Sequence, residues 1–113
     1  MFKLVIADVV EFLVKFTLLD GKVNKTFSAT LTAQRLSQSD ITQRLEAGEF
    51  KYKDFMLSDG LVTDWAGQRL VLDEAGQPAP FGPDAFEVWL NVAGVAQRTF
   101  DAYSKACGAK EKN

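Results

Sequence analysis

The sequence contains no histidine, one cysteine and three prolines in 113 residues. Without histidine it lacks the commonest general base and the commonest metal ligand, which excludes nucleophilic sites of the Ser-His-Asp and Cys-His types. The single cysteine, Cys107, excludes an intramolecular disulfide. Its position on the apolar face of a predicted helix favours a small core residue over a reactive thiol. We therefore expect a protein that is not an enzyme.

Long uncharged apolar runs are also absent. Four charged residues interrupt the apolar N-terminus: Lys3, Asp8, Glu11 and Lys15. No run reaches the roughly 18 residues that a membrane span requires. The charges also fall inside the region where a signal peptide would be apolar. We expect a cytoplasmic protein that does not bind a membrane.

Sites for metals and cofactors are not indicated. The sequence has neither a glycine-rich phosphate loop nor a calcium-binding loop. The nearest acidic pairs are Asp54 with Asp59 and Asp73 with Glu74, and their spacing does not match such a loop. The tract that begins at Asp73 is typical of a polar turn. We expect no metal and no cofactor.

The charge balance does not favour a nucleic-acid partner. The net charge is −2 and the sequence pI is about 5.1. Lysine and arginine are scattered, whereas a nucleic-acid binder normally carries a clustered basic surface. Only the last residues, with Lys110 and Lys112, suggest a basic cluster, and we interpret 109–113 as a flexible tail. The length fits a single domain covering 1–113.

Residues 10–31 have the pattern of a β-hairpin, within a β region that covers 1–33. Large apolar residues alternate with other residues on both arms, as in half-buried strands. Asp20-Gly21 is a dipeptide favoured in two-residue turns, and this turn places Val14 opposite Phe27. The apolar residues of both arms then fall on one face of the hairpin.

The N-terminal residues allow two interpretations. Residues 2–6 are rich in valine and isoleucine, which favours a further strand. The spacing of charges across residues 2–16 also fits an amphipathic helix, although the coherent hairpin pattern favours strands. On the polar face of the hairpin, Leu13 and Leu19 are expected either at an exposed edge or under another element.

Residues 37–108 are predicted to be mainly helical. Residues 37–40 form a capping box, with a helix that ends at Gly48. A second helical pattern covers 50–62, and residues 70–72 suggest a short strand. Two further helices are predicted. The first begins at Pro83, Gly94 separates it from the second, and the second ends at Gly108. The predicted fold class is α+β, with an N-terminal antiparallel hairpin or small sheet and a helical C-terminal half.

Aromatic residues are concentrated in the second half of the chain. Most of them are expected in the core. Tryptophan and tyrosine also anchor protein partners, and four aromatic residues are candidates for a partner interface: Trp65, Phe81, Trp89 and Tyr103. Trp65 is the first candidate, because a polar turn is predicted around it.

Several short motifs follow one another in a recognisable order. In chain order they are Arg35-Leu36-Ser37-Gln38, Asp64-Trp65-Ala66-Gly67, the set Asp73, Glu74, Gly76, Pro78 and Phe81, and the set Phe100, Ala102, Tyr103, Ala106 and Gly108. This order resembles that of the tail assembly chaperones of long, non-contractile-tailed phages and prophages. The resemblance covers about residues 10–108. Two departures are Asp64, where a glycine often precedes the tryptophan, and a longer connection at 68–70.

The resemblance implies a role in building a phage tail. Such a chaperone binds the tape-measure protein, helps to recruit tail-tube subunits, associates with itself and is not part of the mature virion. The alternative is another small morphogenesis subunit that stays in the virion, such as a tail terminator or a head–tail joining protein. A small enzyme and a DNA-binding regulator are disfavoured by the absence of histidine and by the scattered basic residues.

Overall fold

The chain forms an antiparallel sheet first and packs helices against it afterwards. The computed structural model describes residues 2–47 and 51–109, without the side chain of Asp59. An N-terminal arm (residues 2–8) contains neither helix nor strand. The elements that follow are β1 (Val9–Asp20), β2 (Val23–Gln34), α1 (Gln38–Glu46), α2 (Tyr52–Leu57), a 3₁₀ turn (Ser58–Gly60), β3 (Val62–Ala66), α3 (Pro83–Leu90) and α4 (Val95–Cys107).

The predicted α+β class is confirmed, with a sheet in the order β1-β2-β3. The predicted helix end at Gly48, the start of the second helical pattern at Phe50 and the tail at 110–113 lie outside the described residues. Within the described part of the chain, no helix is long and apolar enough to cross a lipid bilayer.

The register of the β1–β2 hairpin differs from the predicted one by two residues. The turn is Gly21-Lys22, so that Asp20 pairs with Val23 and Val14 with Ala29. The predicted pairing of Val14 with Phe27 was therefore wrong. Gly21 has a φ of 64°, so the residue that best tolerates the left-handed region stands first in the turn.

Two side-chain contacts favour the observed register. It places Phe16 opposite Phe27, with ring centroids 6.3 Å apart. It also brings the Lys25 ammonium to 2.6 Å from the Asp20 carboxylate at the exposed tip. A shift of two residues keeps every side chain on its predicted face, because side chains alternate with a period of two. The core face was therefore identified correctly although the pairs were not.

The strand β3 was not predicted. It pairs antiparallel with β2, with Trp65 opposite Leu31 and an irregularity between Thr32 and Ala33. Adjacent polar residues in a five-residue strand resemble a turn, which is how the sequence was interpreted. The strand predicted at 70–72 is reduced to an isolated bridge between Leu72 and Pro78.

The further strand predicted at 2–6 is not formed. Residues 2–8 extend from the start of β1, and the backbone hydrogen bond from Arg35 N to Asp8 O (2.7 Å) is the last link to β2 on that side. The alternative helix across residues 2–16 is also excluded, because Val9–Asp20 is a strand. The arm has no neighbouring strand within the described residues to complete its backbone hydrogen bonds.

The core lies between one face of the sheet and the helices. The sheet contributes Val10, Phe12, Val14, Phe16, Ala29, Leu31, Ala33, Val62 and Trp65. The helices contribute Phe55, Met56, Phe86, Trp89, Leu90, Val95 and Tyr103. Burial of each large apolar side chain stabilises the fold by about 1.5–3 kcal/mol, before the opposing loss of conformational entropy.

Local signals set several helix boundaries as predicted, but the helical pattern predicted at 50–62 extends too far. The helix α2 covers only Tyr52–Leu57, Ser58–Gly60 is a 3₁₀ turn and Val62 begins β3. Ser37 and Asp40 form the predicted capping box at α1, in which the Ser37 hydroxyl accepts from Asp40 N at 3.1 Å. Pro83 is the first residue of α3, as predicted. Gly94 separates α3 from α4 with a φ of 83°, and Gly108 follows α4 as predicted.

The end of β2 is tied to the end of α4. The Arg35 guanidinium donates from Nη1 to the carbonyl oxygen of Cys107 at 3.0 Å. A cation is favourable there, because the C-terminus of a helix carries partial negative charge. Cys107 itself is half-buried against the core, as predicted from its place on the helix face.

Candidate protein interface

The four aromatic residues predicted at an interface lie in or beside the core. Trp89 and Tyr103 have no exposed surface, and Trp65 is 8% exposed. Phe81 is half-buried. Trp89 and Tyr103 therefore offer a partner no accessible surface in this fold, and only Phe81 retains a substantial exposed part.

Trp65 holds the long loop between β3 and α3 against the sheet. Its ring packs edge-on against Phe81 and Phe86, with centroids 5.4 and 6.2 Å away. Its Nε1–H donates to the carbonyl oxygen of Ala79 at 3.1 Å. The apolar ring of the indole is thus packed within the chain, and its N–H has an acceptor there.

Trp89 is the centre of the helical side of the core. Its ring lies 5.3 Å from that of Phe16 and 5.8 Å from that of Trp65. Its Nε1–H donates to the hydroxyl of Thr99 at 3.1 Å, and that hydroxyl donates to the carbonyl oxygen of Val95 at 2.8 Å. Thr99 is fully buried, and no sequence pattern beyond its place on the α4 face indicates this role.

Tyr103 links α4 to the end of β2. Its hydroxyl donates to the Gln34 carbonyl oxygen at 2.6 Å and accepts from the Leu36 amide at 3.1 Å. Burial, assisted by the neighbouring Cys107, raises the pKa of the Tyr103 phenol well above its ordinary value. The phenol therefore remains protonated and able to donate across the physiological pH range.

A buried amide organises the loop that follows β3. Gln68 is 2% exposed, and its Nε2 donates to the carbonyl oxygens of Val71 (2.8 Å) and Ala79 (3.2 Å). Its Oε1 accepts from the amides of Leu70 and Val71. The segment 68–70, which lengthens the connection in the resemblance, is therefore an internally bonded structure.

The tract that begins at Asp73 is the predicted polar turn. The Asp73 carboxylate accepts from the amides of Ala75 and Gln77, each at 2.9 Å. Its oxygens thus cap the local backbone. Within the described residues, no group of three or more cysteine, aspartate and glutamate side chains is placed to hold a metal ion.

The exposed apolar surface lies elsewhere, on the N-terminal arm and the hairpin. Most of the large apolar side chains exposed among the described residues belong to these two segments: Phe2, Leu4, Val5, Ile6, Val9, Leu13, Leu19 and Val23. Phe2 and Val5 are completely exposed, and Leu13 and Leu19 take the exposed alternative of the two that the sequence allowed. The exposed arm was not predicted, because the valine and isoleucine content of residues 2–6 favours a strand.

A groove runs along the outer edge of β1 beside α4. One part has a volume of about 560 Å³ and is lined by residues of β1 and α4: Glu11, Phe12, Leu13, Lys15, Arg98, Asp101, Ala102, Lys105 and Ala106. A second part of about 430 Å³ shares Lys15 and Arg98 with the first and continues to Leu18. The rim carries charges of both signs, and the small side chains of Ala102 and Ala106 lie on the wall that α4 forms.

The hairpin tip has a defined electrostatic contact. Lys25, whose ammonium hydrogen-bonds the Asp20 carboxylate, holds the pKa of that carboxyl below its usual value. Both side chains are largely exposed to water, so the pair is screened by salt. The contact therefore contributes little to stability.

Comparison with protein-family models, with curated proteins and with solved structures finds no significant match for this chain. The arm, the edge of β1 and its groove are therefore the features from which a function can be argued.

Proposed function

We propose that this protein is a phage or prophage tail assembly chaperone. In this role it binds the tape-measure protein, helps to recruit tail-tube subunits, associates with itself and leaves before the virion is complete. The order of motifs across residues 10–108 supports the proposal. The structural observation that carries it is the concentration of exposed apolar side chains on the arm and the hairpin.

The physical logic is the shielding of apolar surface. Isolated exposed apolar residues are normal on any protein, but a contiguous set marks a binding site. A long helical client with apolar stripes would aggregate if its stripes remained exposed to water. Many copies of a small domain can cover such stripes by weak contacts, because linked contacts act at a high effective concentration.

The buried aromatic residues stabilise the fold, and other residues are left to bind a client. Trp65, Trp89 and Tyr103 hold the helices and the sheet together through satisfied hydrogen bonds. The exposed apolar side chains of the hairpin and the arm are then carried by a stable fold. We assign the client surface to Val5, Leu13 and Leu19 and their apolar neighbours on these two segments.

Co-expression with the tape-measure protein of the same phage or prophage tests the proposal. The client is produced alone or together with this chain, and the soluble fraction of the client and its co-purification are measured. We expect more soluble client in the presence of this chain. An equal soluble fraction with and without it contradicts the proposal. Mass spectrometry of purified particles is expected to find no copies of the chain, and its retention there also contradicts the proposal.

Matched leucine-to-aspartate variants test the assigned surface. Leu19→Asp changes a side chain that is 68% exposed on the hairpin, and Leu72→Asp changes one that is 52% exposed in the loop after β3. Both variants are expected to fold, as checked by circular dichroism. Only Leu19→Asp is expected to lower the soluble yield of the client. Equal effects of the two variants contradict the assignment of the surface.

A further inference from the structure

Within the described part of the chain, the backbone groups on the outer edge of β1 have no partner strand. β1 is a twelve-residue edge strand, because the sheet order is β1-β2-β3. The pair Asp20–Val23 closes the two-residue turn, and Asp8 O accepts from Arg35 N at the other end. Even-numbered residues of β1 therefore direct their N–H and C=O groups towards β2. The odd-numbered residues direct theirs away from the sheet.

These outward groups form a template for another strand. They belong to Val9, Glu11, Leu13, Lys15, Thr17 and Leu19. Among the described residues, no backbone group of another element bonds to them. Proteins usually protect such an edge by shortening it, covering it or placing proline or charged side chains on it, and Glu11 and Lys15 are the charged residues of this edge. Here the strand is long and free of proline, and a groove beside α4 follows it from Glu11 to Leu18.

The N-terminal arm has the complementary properties. Phe2, Leu4 and Val5 are more than four-fifths exposed, and residues 2–6 form no element of their own. Phe2, Leu4 and Ile6 alternate with Lys3 and Val5, as in a strand with one strongly apolar face. An arm of this kind loses exposed apolar surface and gains backbone hydrogen bonds when it joins a sheet edge.

We propose that residues 2–6 of one copy add as a parallel strand to the outer edge of β1 in a second copy. With Val5 beside Leu13 on the outer face of the sheet, Phe2, Leu4 and Ile6 point into the groove. There they meet α4 at Ala102 and Ala106, whose small side chains leave room for them.

With Val5 beside Leu13, charge favours the parallel orientation over the antiparallel one. When Val5 lies beside Leu13 in a parallel strand, Lys3 lies beside Glu11. In an antiparallel strand with the same Val5–Leu13 pair, Lys3 would lie beside Lys15. Opposite charges on neighbouring strands are favourable and like charges are not.

The arm cannot reach the edge of its own β1. Only two residues separate Ile6 from Val9, whereas a parallel connection needs about a dozen. An antiparallel hairpin would place Ala7 and Asp8 in a two-residue turn. Such turns favour positive φ, which is unfavourable for alanine. It would also detach Asp8 from its backbone hydrogen bond to Arg35. The occupant is therefore a second copy.

The arm, which carries no helix, also fits the outer edge of β1 better than the β1 strand of a second copy does. Neighbouring strands lie about 4.8 Å apart, whereas packed helices need about 8–10 Å. Two β1 edges in direct contact would bring two copies of α4 to the same groove. The arm carries no helix and uses the α4 of its neighbour as its support.

The arm and the edge are different surfaces of one chain, so the contact is head-to-tail. Such contacts produce rings when the rotation closes and open filaments when it does not. The inference deepens the self-association that belongs to the proposed function. It is tested without any client, so its failure is distinguishable from failure of the chaperone role.

Sedimentation of the full chain over low-micromolar to near-millimolar concentrations tests the inference. We expect the average mass to rise with concentration. Leu4→Asp places a charge in the groove, and it is expected to weaken association about tenfold or more. The control Leu72→Asp is expected to leave association unchanged. A wild-type chain that remains monomeric, or equal association of the two variants, overturns the inference.

A charge exchange tests the register. Lys3→Glu and Glu11→Lys are each expected to weaken association, because each places like charges side by side. The double variant Lys3→Glu with Glu11→Lys is expected to restore it. Both positions are exposed, so the fold of each variant is expected to be intact. A double variant that associates no better than the single ones overturns the proposed strand addition.

Discussion

Replacement of Thr99 by valine removes one buried hydroxyl and little else. Thr99 has no exposed surface, and its hydroxyl accepts the indole N–H of Trp89 at 3.1 Å. Valine preserves the branched shape, but it leaves the Trp89 N–H without an acceptor in a site closed to water. An unsatisfied buried donor costs about 1–3 kcal/mol, which is the loss expected in the free energy of unfolding. The carbonyl of Val95 retains its helical partner and adds little.

Urea unfolding followed by tryptophan fluorescence measures this loss, because Trp65 and Trp89 are both buried in the fold. Thr26→Val is the matched control. Among the residues that the structure describes, its hydroxyl bonds only the exposed hydroxyl of Thr17, so a change within about 0.5 kcal/mol is expected. Thr99→Val is then repeated in a Trp89→Phe background, where no indole N–H remains. A loss that is equal in both backgrounds would refute the reasoning.

Three further outcomes follow from the structure. Tyr103→Phe is expected to lower the free energy of unfolding by about 1–2 kcal/mol, because two backbone groups lose their partner; an unchanged urea midpoint contradicts this. Gly94→Ala is expected to lower the free energy of unfolding by about 1–2 kcal/mol, because alanine is strained at the Gly94 φ of 83°. Gly82→Ala is the control, since the Gly82 φ of −170° suits any residue, and a loss of less than about 0.5 kcal/mol is expected. Equal losses in thermal melts would contradict the predicted strain at Gly94. Because the folded-state pKa of Asp20 is lowered, its contact with Lys25 stabilises the fold at pH above the ordinary value of 3.8 and is lost as pH falls below it. Asp20→Asn is expected to remove that part of the pH dependence of the free energy of unfolding. If the wild type remains more stable than Asp20→Asn at pH well below 3.8, the assignment is contradicted.

The core face of the hairpin followed from the sequence, but its register did not. Alternation places Phe12, Val14 and Phe16 on one face whatever the exact pairs, because any even shift preserves the faces. The pairs depend on which two residues form the turn. Asp20-Gly21 and Gly21-Lys22 both supply glycine, so the contacts at Phe27 and Lys25 decide between them.

The aromatic residues show where composition is a weak guide to an interface. Trp65 stands among polar neighbours in the sequence, which suggested an exposed position. In the fold, β3 turns it inwards against Phe81, and a carbonyl 14 residues away accepts its N–H. That acceptor, Ala79, is selected by the path of the loop around Gln68. Such long-range pairs leave no local pattern in the sequence.

The arm shows the opposite case. Its valine and isoleucine content correctly indicates strand propensity, but propensity does not supply a neighbouring strand. Within the described residues the arm has no such neighbour, and the exposed residues Phe2, Leu4 and Val5 are the result. The strand predicted there is one that we propose to form only between copies.

Hydrogen exchange of the β1 amides tests most directly whether the arm and this edge are the protein-binding surface. The amides of Glu11, Leu13 and Lys15 are expected to exchange quickly in dilute protein, because they face away from β2. They are expected to slow when the protein is concentrated or when the client is present. The amides of Phe12 and Val14 are expected to exchange slowly throughout. If association is observed while the amides of Glu11, Leu13 and Lys15 still exchange quickly, the binding surface lies elsewhere and the account is contradicted.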